Sequence, residues 1–592
     1  MSGPESLSLA ADFPAATDAQ WLKLVDKILA GADFEKKLVA RTYDGIALKP
    51  LYTRADWHAE NDASGLPGGA PYTRGSTALG NTVSGWDIRQ AHGGDPGVVN
   101  KAILEDLERG VTSILLRTDG AALDRVLAGV MLDLAPVILD SPGATLPAAT
   151  ALMKLLTARG QQKVFAGNFG LDDLGNGLAD IAALGAAAVE IARDFPKARA
   201  FNVRGTVYHA AGSSDAQELG GAVATALSYL RAMTAAGMTI DAACGQIAFT
   251  LATDADFFLS IAKFRALRKL WARATEVCGA DARTAPVSAC TASRMISRRD
   301  PWVNVLRTTV ACFAAGIAGA DAVTVLPFDG SELARRVARN TQVVLQEEAS
   351  LAKVVDPAGG AWMFERLTDE LADKAWAFFQ EIERAGGMTK ALPLVAEKIA
   401  AVQAERARNI ARRKDPITGV SEFPNINEAD AAPISATSGA GLKPIRLAEG
   451  FEHLRDLSDA FKARTGQRPR IFLANLGAVA DFTARATFAK NFFEAGGIEA
   501  VPGAGGSNPA DMARDLKHSG AAFAIICGTD TGYAGNAAAI AKALKDAGAK
   551  TVYLAGRPGE LEVPLKAAGV DEFIFMGGDV LGTLERAHKK LG

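Results

Sequence analysis

The chain has 592 residues, with 64 Lys and Arg against 67 Asp and Glu for a net charge of −3. That length exceeds a single core of roughly 100–200 residues, and the balanced charge excludes broad electrostatic capture of nucleic acid or an anionic membrane surface. With 49% hydrophobic residues, 59 glycines and 24 prolines, the composition excludes global disorder and a collagen-like repeat, and supplies more than one core.

The N-terminal residues pair no basic stretch with an apolar run, so no secretory signal is expected, and no uncharged apolar run of membrane-spanning length follows. The cysteines (Cys244, Cys278, Cys290, Cys312, Cys527) are isolated and odd in number, which fits a reducing compartment; a cytoplasmic location is expected. The histidines (His58, His92, His209, His453, His518, His588) include no pair at metal-ligand spacing, so no metal site is expected.

An amphipathic helix is predicted over 19–29. A Gly/Pro-punctuated arm then runs to residue 80 and includes SGLPGGAPY (64–72). Its aromatics Tyr43, Tyr52, Trp57 and Tyr72 suit packing against a partner surface, so residues 1–80 read as a partner-embracing arm. From residue 86, short apolar runs alternate with helical stretches. The runs begin near Trp86, Val111, Ala135, Gln162, Ala200, Gly245, Ala285 and Ala320. Runs without strict alternation indicate parallel strands buried on both faces. Eight such units predict a (β/α)8 barrel with trailing helices over 81–414, in preference to an open doubly wound sheet. The intervening helices include 215–236, 257–277 and 301–317; the Ala-rich stretch 179–192 carries charges and reads as a soluble helix. Helices 331–352, 365–384 and a Lys/Arg-rich one over 395–413 follow the eighth strand.

Residues 415–469, rich in Pro, Ser, Asn and Gly before a short helix at 449–463, read as an interdomain linker. A second α/β domain, 470–592, has strand runs at 470–477, 498–503, 521–528, 550–556 and 572–578, which predicts a flavodoxin-like sheet. Gly477, Gly528, Gly556 and Gly577 end four of its strands and serve either a ligand or tight turns.

A barrel's site lies at the carboxyl ends of its strands. The residues expected there are Arg89, Gln90, His92, Arg117, Asp119, Asp140, Asn168, Arg204, Tyr208, His209, Thr253, Asp254, Thr291, Ser293, Arg294 and Asp329. They form no nucleophile elbow, spaced carboxylate pair or metal cluster. His209 is the best single acid–base candidate, against the simpler reading of a hydrogen-bonded structural histidine.

The segment 334–376, with RxARNTQ followed by DPxxG, resembles the methylmalonyl-CoA mutase family, as do PYTRG (71–75), WDIRQ (86–90) and ERAGGMTKAL (383–392). The resemblance runs from about residue 40 to 592. It implies a CoA-binding barrel and a cobalamin-binding C-terminal domain that together interconvert (R)-methylmalonyl-CoA and succinyl-CoA by a radical route. Catalytic chains of the family carry GxDxHxxG after the first strand of the C-terminal domain, the His being the lower ligand of cobalt. Counted from Gly477, the family's Asp falls on Val479, its His on Asp481 and its last Gly on Ala484. An aspartate is a hard oxygen ligand and a poor substitute for imidazole at cobalt. The family's acyl-contacting tyrosine falls on Asn81 and an arginine on Ser84, and the Gly-Trp-Ser of the seventh-strand segment has become Ser293–Arg294–Met295. Tyr208–His209 matches the family's tyrosine–histidine pair, so His209 reads as a vestigial candidate.

The resemblance therefore implies a small, non-catalytic subunit, with no catalytic or cofactor-binding residue of its own. Adenosylcobalamin is expected in a large catalytic partner, with acyl-CoA reached only through the complex and no nucleic acid or membrane partner. The alternatives are an autonomous acyl-CoA mutase binding cobalamin without a His ligand, or a homo-oligomeric CoA-thioester-binding regulator.

Overall fold

The computed structural model describes residues 14, 16–57, 63–174, 180–281, 283–428 and 441–591. His58, the first residue of the expected 179–192 helix and the linker stretch 429–440 lie outside them. Helix α1 (Asp18–Leu29) starts at a capping box between Thr17 and Gln20 and ends where Ala30 turns left-handed at φ 48°. Helix α2 (Phe34–Leu38) is capped by Asp33, and Trp21 of α1 meets Phe34 edge-on at 6.2 Å. Neither helix buries a single residue: Leu24 is 63% and Ile28 82% exposed.

The aromatics of the arm depart from expectation by packing on the chain itself. The Tyr43 ring lies under the Arg406 guanidinium at 3.9 Å, and its hydroxyl bonds Asp415 and Asn409. Trp57 is buried, the Tyr52 hydroxyl reaches Ala47 O, and Tyr72 sits beside Leu267 and Trp271. A segment with little core of its own gains burial most directly from the barrel it is tethered to.

Eight parallel strands close the barrel: β1 (Asp87–Gly93), β2 (Ser113–Arg117), β3 (Val137–Leu139), β4 (Asn168–Leu171), β5 (Arg199–Arg204), β6 (Ile247–Thr253), β7 (Val287–Thr291) and β8 (Ala322–Thr324), with β8 pairing back on to β1. Seven begin within two residues of the predicted starts. The fourth begins at Asn168, six residues later than expected. The β-like residues Val164 and Phe165 are drawn into a turn on Gln161 O, and pairing waits for Gly167 and Gly170. A Cβ at these glycines would lie 2.2 Å from Val137 O and 2.0 Å from Leu139 O, and Gly170 sits at φ +65°.

Helices α3 (Pro96–Glu108, capped by Asp95), α4 (Asp215–Ala235), α5 (Phe257–Val277) and α6 (Pro301–Ile317) lie among those on the barrel's outer face. Three more follow β8: α7 (Glu332–Val343), α8 (Trp362–Arg384), packed across α4 and α5, and α9 (Met388–Ala411). Barrel interiors are usually layers of Val, Ile and Leu. Here Arg89 reaches across the bore, donating to Ser113 Oγ at 3.0 Å and Ser288 Oγ at 2.9 Å, and Thr250 donates to Asn202 at 2.8 Å.

The second domain opens with α10 (Glu449–Thr465), which ends at the left-handed Gly466 and buries Phe451 and Leu454. Strands β9 (Arg470–Asn475), β10 (Glu499–Pro502), β11 (Phe523–Cys527), β12 (Thr551–Ala555) and β13 (Glu572–Ile574) form one parallel sheet in the order β10-β9-β11-β12-β13. Alternate residues feed two cores. Ile471, Leu473, Ile525 and Tyr553 meet α10 and α11 (Val479–Glu494), while Phe472, Ile526, Val552 and Leu554 face the opposite layer. Ile417 and Val420 of the linker join the first of these cores. Among the described residues no helix is long and apolar enough to cross a membrane.

Candidate functional site

The carboxyl ends of β2, β3, β4 and β5 carry an alternating row of charges. Arg117 Nε and Arg204 Nη1 both bond the Asp140 carboxylate, at 3.1 and 2.9 Å, and Arg204 Nε bonds Asp172 at 3.2 Å. The Tyr229 hydroxyl closes the row on Asp172 at 2.6 Å. Burial would raise the Asp140 pKa, but Arg204 and Arg117 overcome it and hold the carboxyl below its usual value. These side chains satisfy one another.

His209 follows β5 on a short helical turn and is 1% exposed. Its Nε2 stands 3.4 Å from Asp254, and beside it Lys263 of α5 bonds Asp215 at 2.8 Å and Glu218 at 2.7 Å. Burial, then Arg294, pushes the His209 pKa down to about 3, so the ring is neutral. Burial alone would lower the Lys263 pKa; Asp215 and Glu218 hold it above its usual value. Among the described residues His209, Asp215 and Glu218 are the one His–carboxylate group close enough to hold a metal ion. The Lys263 ammonium, bonded to both carboxylates, already supplies the cation there. Tyr208 turns away into the core, its hydroxyl 2.6 Å from Thr225.

Other expected site residues are structural or elsewhere. Arg89 lies within the bore rather than at the mouth, and burial lowers its pKa to about 10. Gln90 is buried, and His92 faces α3, where burial and then Arg335 push its pKa down to about 4 beside Asp106. Asn168 bonds Phe201 O and Gly170 N–H, Thr253 is buried, and the Thr291 hydroxyl accepts from Leu326 N–H. Asp119 and Asp329 cap local turns, and Arg294 bonds the carbonyls of His209 and Ser213. Asn81 sits at the other end of the barrel, donating to Ala320 O just before β8. Ser84 is an exposed turn residue near it.

Arg117, Asp140, Arg204, His209, Ser293 and the linker residues Leu442 and Pro444 line a cavity of about 120 Å3. That is below the ~300 Å3 at which sites for organic ligands usually start, but hollows of about 880 and 520 Å3 adjoin it, the first lined by His92, Arg117 and Asp329 and the second by Arg117, Asp119 and Asp140. Sequence reasoning missed Glu218 and Lys263. No local pattern marks them: Glu218 follows Asp215 and Gln217, and Lys263 shares α5 with Arg265, Arg268 and Lys269.

In the C-terminal domain, Asp481 is the third residue of α11 and accepts the Ala478 N–H at 2.9 Å. Gly477, at φ +96°, gives that carboxylate room. Arg485 crosses the ends of β11 and β12. It donates to Gly528 O at 2.8 Å and Asp530 at 2.6 Å, its guanidinium 4.9 Å from the Tyr533 ring centre, and Gly556 lies beneath it. His518 is exposed at the end of its helix and His588 bonds Gly496 O at 2.8 Å; both lie toward the opposite end of the sheet.

The neutral histidines set a pH dependence. Unfolded imidazoles bind protons near pH 6.5 while His209 and His92 do not until about pH 3–4, so stability falls as pH drops below 6.5. His209→Gln is expected to remove about 2 kcal/mol of the loss between pH 6.5 and 4.5, measured by urea melts at both values. An unchanged difference would place a charged imidazole in the fold.

The model of the methylmalonyl-CoA mutase family matches residues 41–126 and 182–480, more than half of the chain. The chain belongs to this family. It is 46% identical to a methylmalonyl-CoA mutase small subunit of Streptomyces virginiae, across 99% of both chains. It is 39% identical to that of Propionibacterium freudenreichii subsp. shermanii, across 100% of this chain and 97% of the other. A probable small subunit of Mycobacterium tuberculosis strain H37Rv is 40% identical over 96% and 95% of the two chains. A Cereibacter sphaeroides protein described simply as methylmalonyl-CoA mutase is 30% identical over 68% of this chain. The mutase-family barrel and its second parallel sheet are thus both present, while the small-subunit relatives match at full length.

Proposed function

We propose that this chain is the small, non-catalytic subunit of a two-chain methylmalonyl-CoA mutase, supporting a large subunit that interconverts (R)-methylmalonyl-CoA and succinyl-CoA. The observation that carries the reading is the use made of Asp481. The carboxylate standing where the family's cobalt ligand is expected caps a helix, and Arg485 lies across the neighbouring strand ends. With Asp481 engaged in the cap and His518 and His588 toward the opposite end of the sheet, these residues do not fit a histidine-ligated cobalamin.

The strand order β10-β9-β11-β12-β13 is the 2-1-3-4-5 order of flavodoxin-like sheets, which supports that reading of the domain. In the barrel, Arg89 bonded across the bore argues against a CoA thioester threading this chain. His209, neutral and fully buried, is a relic held by Asp254 and Arg294 rather than an acid–base group. Adenosylcobalamin would belong to the partner, acyl-CoA would be met only through the complex, and the pair would work in the cytoplasm. The unburied apolar face of α1 is the part of the arm left free to embrace that partner.

Titration of adenosylcobalamin into the isolated chain is expected to leave the cofactor's visible spectrum unchanged and to give no turnover, whereas mixing with the large subunit gives an active complex. Turnover by the isolated chain would favour the autonomous mutase. Tight CoA-ester binding without association to a large chain would favour the regulator.

A further inference from the structure

The segment after β7 holds three arginines between positions 294 and 299, and all three are bonded to other parts of the same chain. Arg294, 3% exposed, aims its guanidinium across the barrel mouth. It donates to Ser213 O at 2.8 Å, His209 O at 3.2 Å and Asp254 at 3.2 Å. Its own carbonyl accepts the Leu447 N–H at 2.9 Å, and Ala210 O on the other lip accepts the Ile445 N–H at 2.8 Å. Residues 441–447 therefore lie as a strap from lip to lip, with Leu442 and Pro444 against the cavity. Ile445 and Gln403 occupy the space that a side chain at Gly212, φ +103°, would fill.

The same segment then reaches α10. The Arg298 N–H and Nε bond the two oxygens of Glu452, at 2.6 and 3.2 Å, and its Nη2 bonds Asp456 at 2.5 Å. Arg299 Nη2 bonds Asp456 at 2.8 Å and Asp459 at 2.7 Å. Arg446 of the strap also bonds Glu452, at 2.6 Å, and Arg468 bonds Asp459. Glu452 is fully buried, so moving α10 off the barrel would strip a desolvated carboxylate of two guanidiniums at once. Three carboxylates, Glu452, Asp456 and Asp459, face the four guanidiniums of Arg298, Arg299, Arg446 and Arg468, while Asp254 faces Arg294.

We propose that residues 293–300 are a latch that straps 441–447 over the barrel mouth and clamps α10, holding barrel and C-terminal domain as one closed body. Opening the mouth requires breaking two backbone hydrogen bonds to the strap and the contacts of Arg294 behind them. Opening the domains requires breaking the Arg298–Arg299 clamp. The two parts share one short segment, so strap and domain position are coupled.

Hydrogen–deuterium exchange on the full-length chain tests this. In the unaltered protein, the Ile445 and Leu447 amides are expected to exchange as slowly as those of β5 and β7; exchange of both at the rate of unprotected peptide overturns the proposal by itself, whatever the variants do. Arg294→Ala is expected to speed exchange at Ile445 and Leu447 at least tenfold, leaving β9 and β11 unchanged. Arg298→Glu with Arg299→Glu is expected to speed exchange in the strap and at the start of α10, and Arg298→Lys with Arg299→Lys, which keeps both charges, to retain most of the protection. Folded variants, verified by circular dichroism, that leave strap exchange unchanged would also overturn it.

Discussion

Lys263→Met is expected to lower the free energy of unfolding by about 3–5 kcal/mol, read from urea melts at pH 7.5. Lys263 is buried on α5, and its ammonium is the shared partner of Asp215 and of the fully buried Glu218. A methionine fills much the same volume, so the loss arises from leaving two carboxylates in a low dielectric without a cation, rather than from a cavity. Two further results separate this cause from general damage. Burial already raises the Glu218 pKa against the opposing effect of Lys263, and without the lysine it rises further. The deficit should therefore shrink as pH is lowered from 8 to 5, because protonation removes the unpaired charge. The double variant Lys263→Met with Glu218→Gln should recover much of the loss, since the amide oxygen can still accept the Ala252 N–H that Glu218 accepts at 2.8 Å. A loss below about 1 kcal/mol without coupling between the two positions would mean that the carboxylates are satisfied from elsewhere.

The second large effect falls on association and spares the fold. Leu24→Asp with Ile28→Asp is expected to weaken binding of the large subunit at least tenfold, while the melting transition of the isolated chain stays within about 1 °C. Both positions lie one turn apart on α1, and neither touches a buried core. Trp21, earlier on the same face, already meets Phe34, and Leu24 and Ile28 are left exposed. Size-exclusion chromatography or calorimetry with the large subunit decides it. Unchanged affinity would move the interface off α1, and a collapsed melting transition would make the helix part of the fold.

Much of the architecture was legible from the residues because parallel strands buried on both faces read as plain apolar runs, such as SILLR in β2 and FAIIC in β11. The exception, β4, is instructive. There the β-like residues sit in a turn, and the strand is made possible by two glycines pressed against neighbouring carbonyls, a proximity that no local pattern records. The site divides in the same way. His209 could be placed by its position after β5, but its neutrality follows from burial, then from Arg294 and Lys263 against the opposing effect of Asp254, and those three residues lie 45 to 85 positions away and enter through other elements. The change at Ser293–Arg294–Met295 was readable as a loss; that Arg294 instead ties carbonyls across the mouth was visible only in three dimensions. Asp481 was readable as a missing imidazole, and its capping bond to Ala478 is what the fold does with it.

The polar bore has a thermal consequence. Unfolding a barrel lined by Arg89, Ser113, Asn202, Thr250 and Ser288 hydrates polar as well as apolar surface. The two act on heat capacity with opposite signs, about −0.26 against +0.45 cal/K/mol/Å2. A barrel of this kind therefore has a flatter stability curve than one filled with branched aliphatics, giving up some peak stability for constancy across temperature. For a chain whose task is to hold another in shape, that constancy is the more useful property.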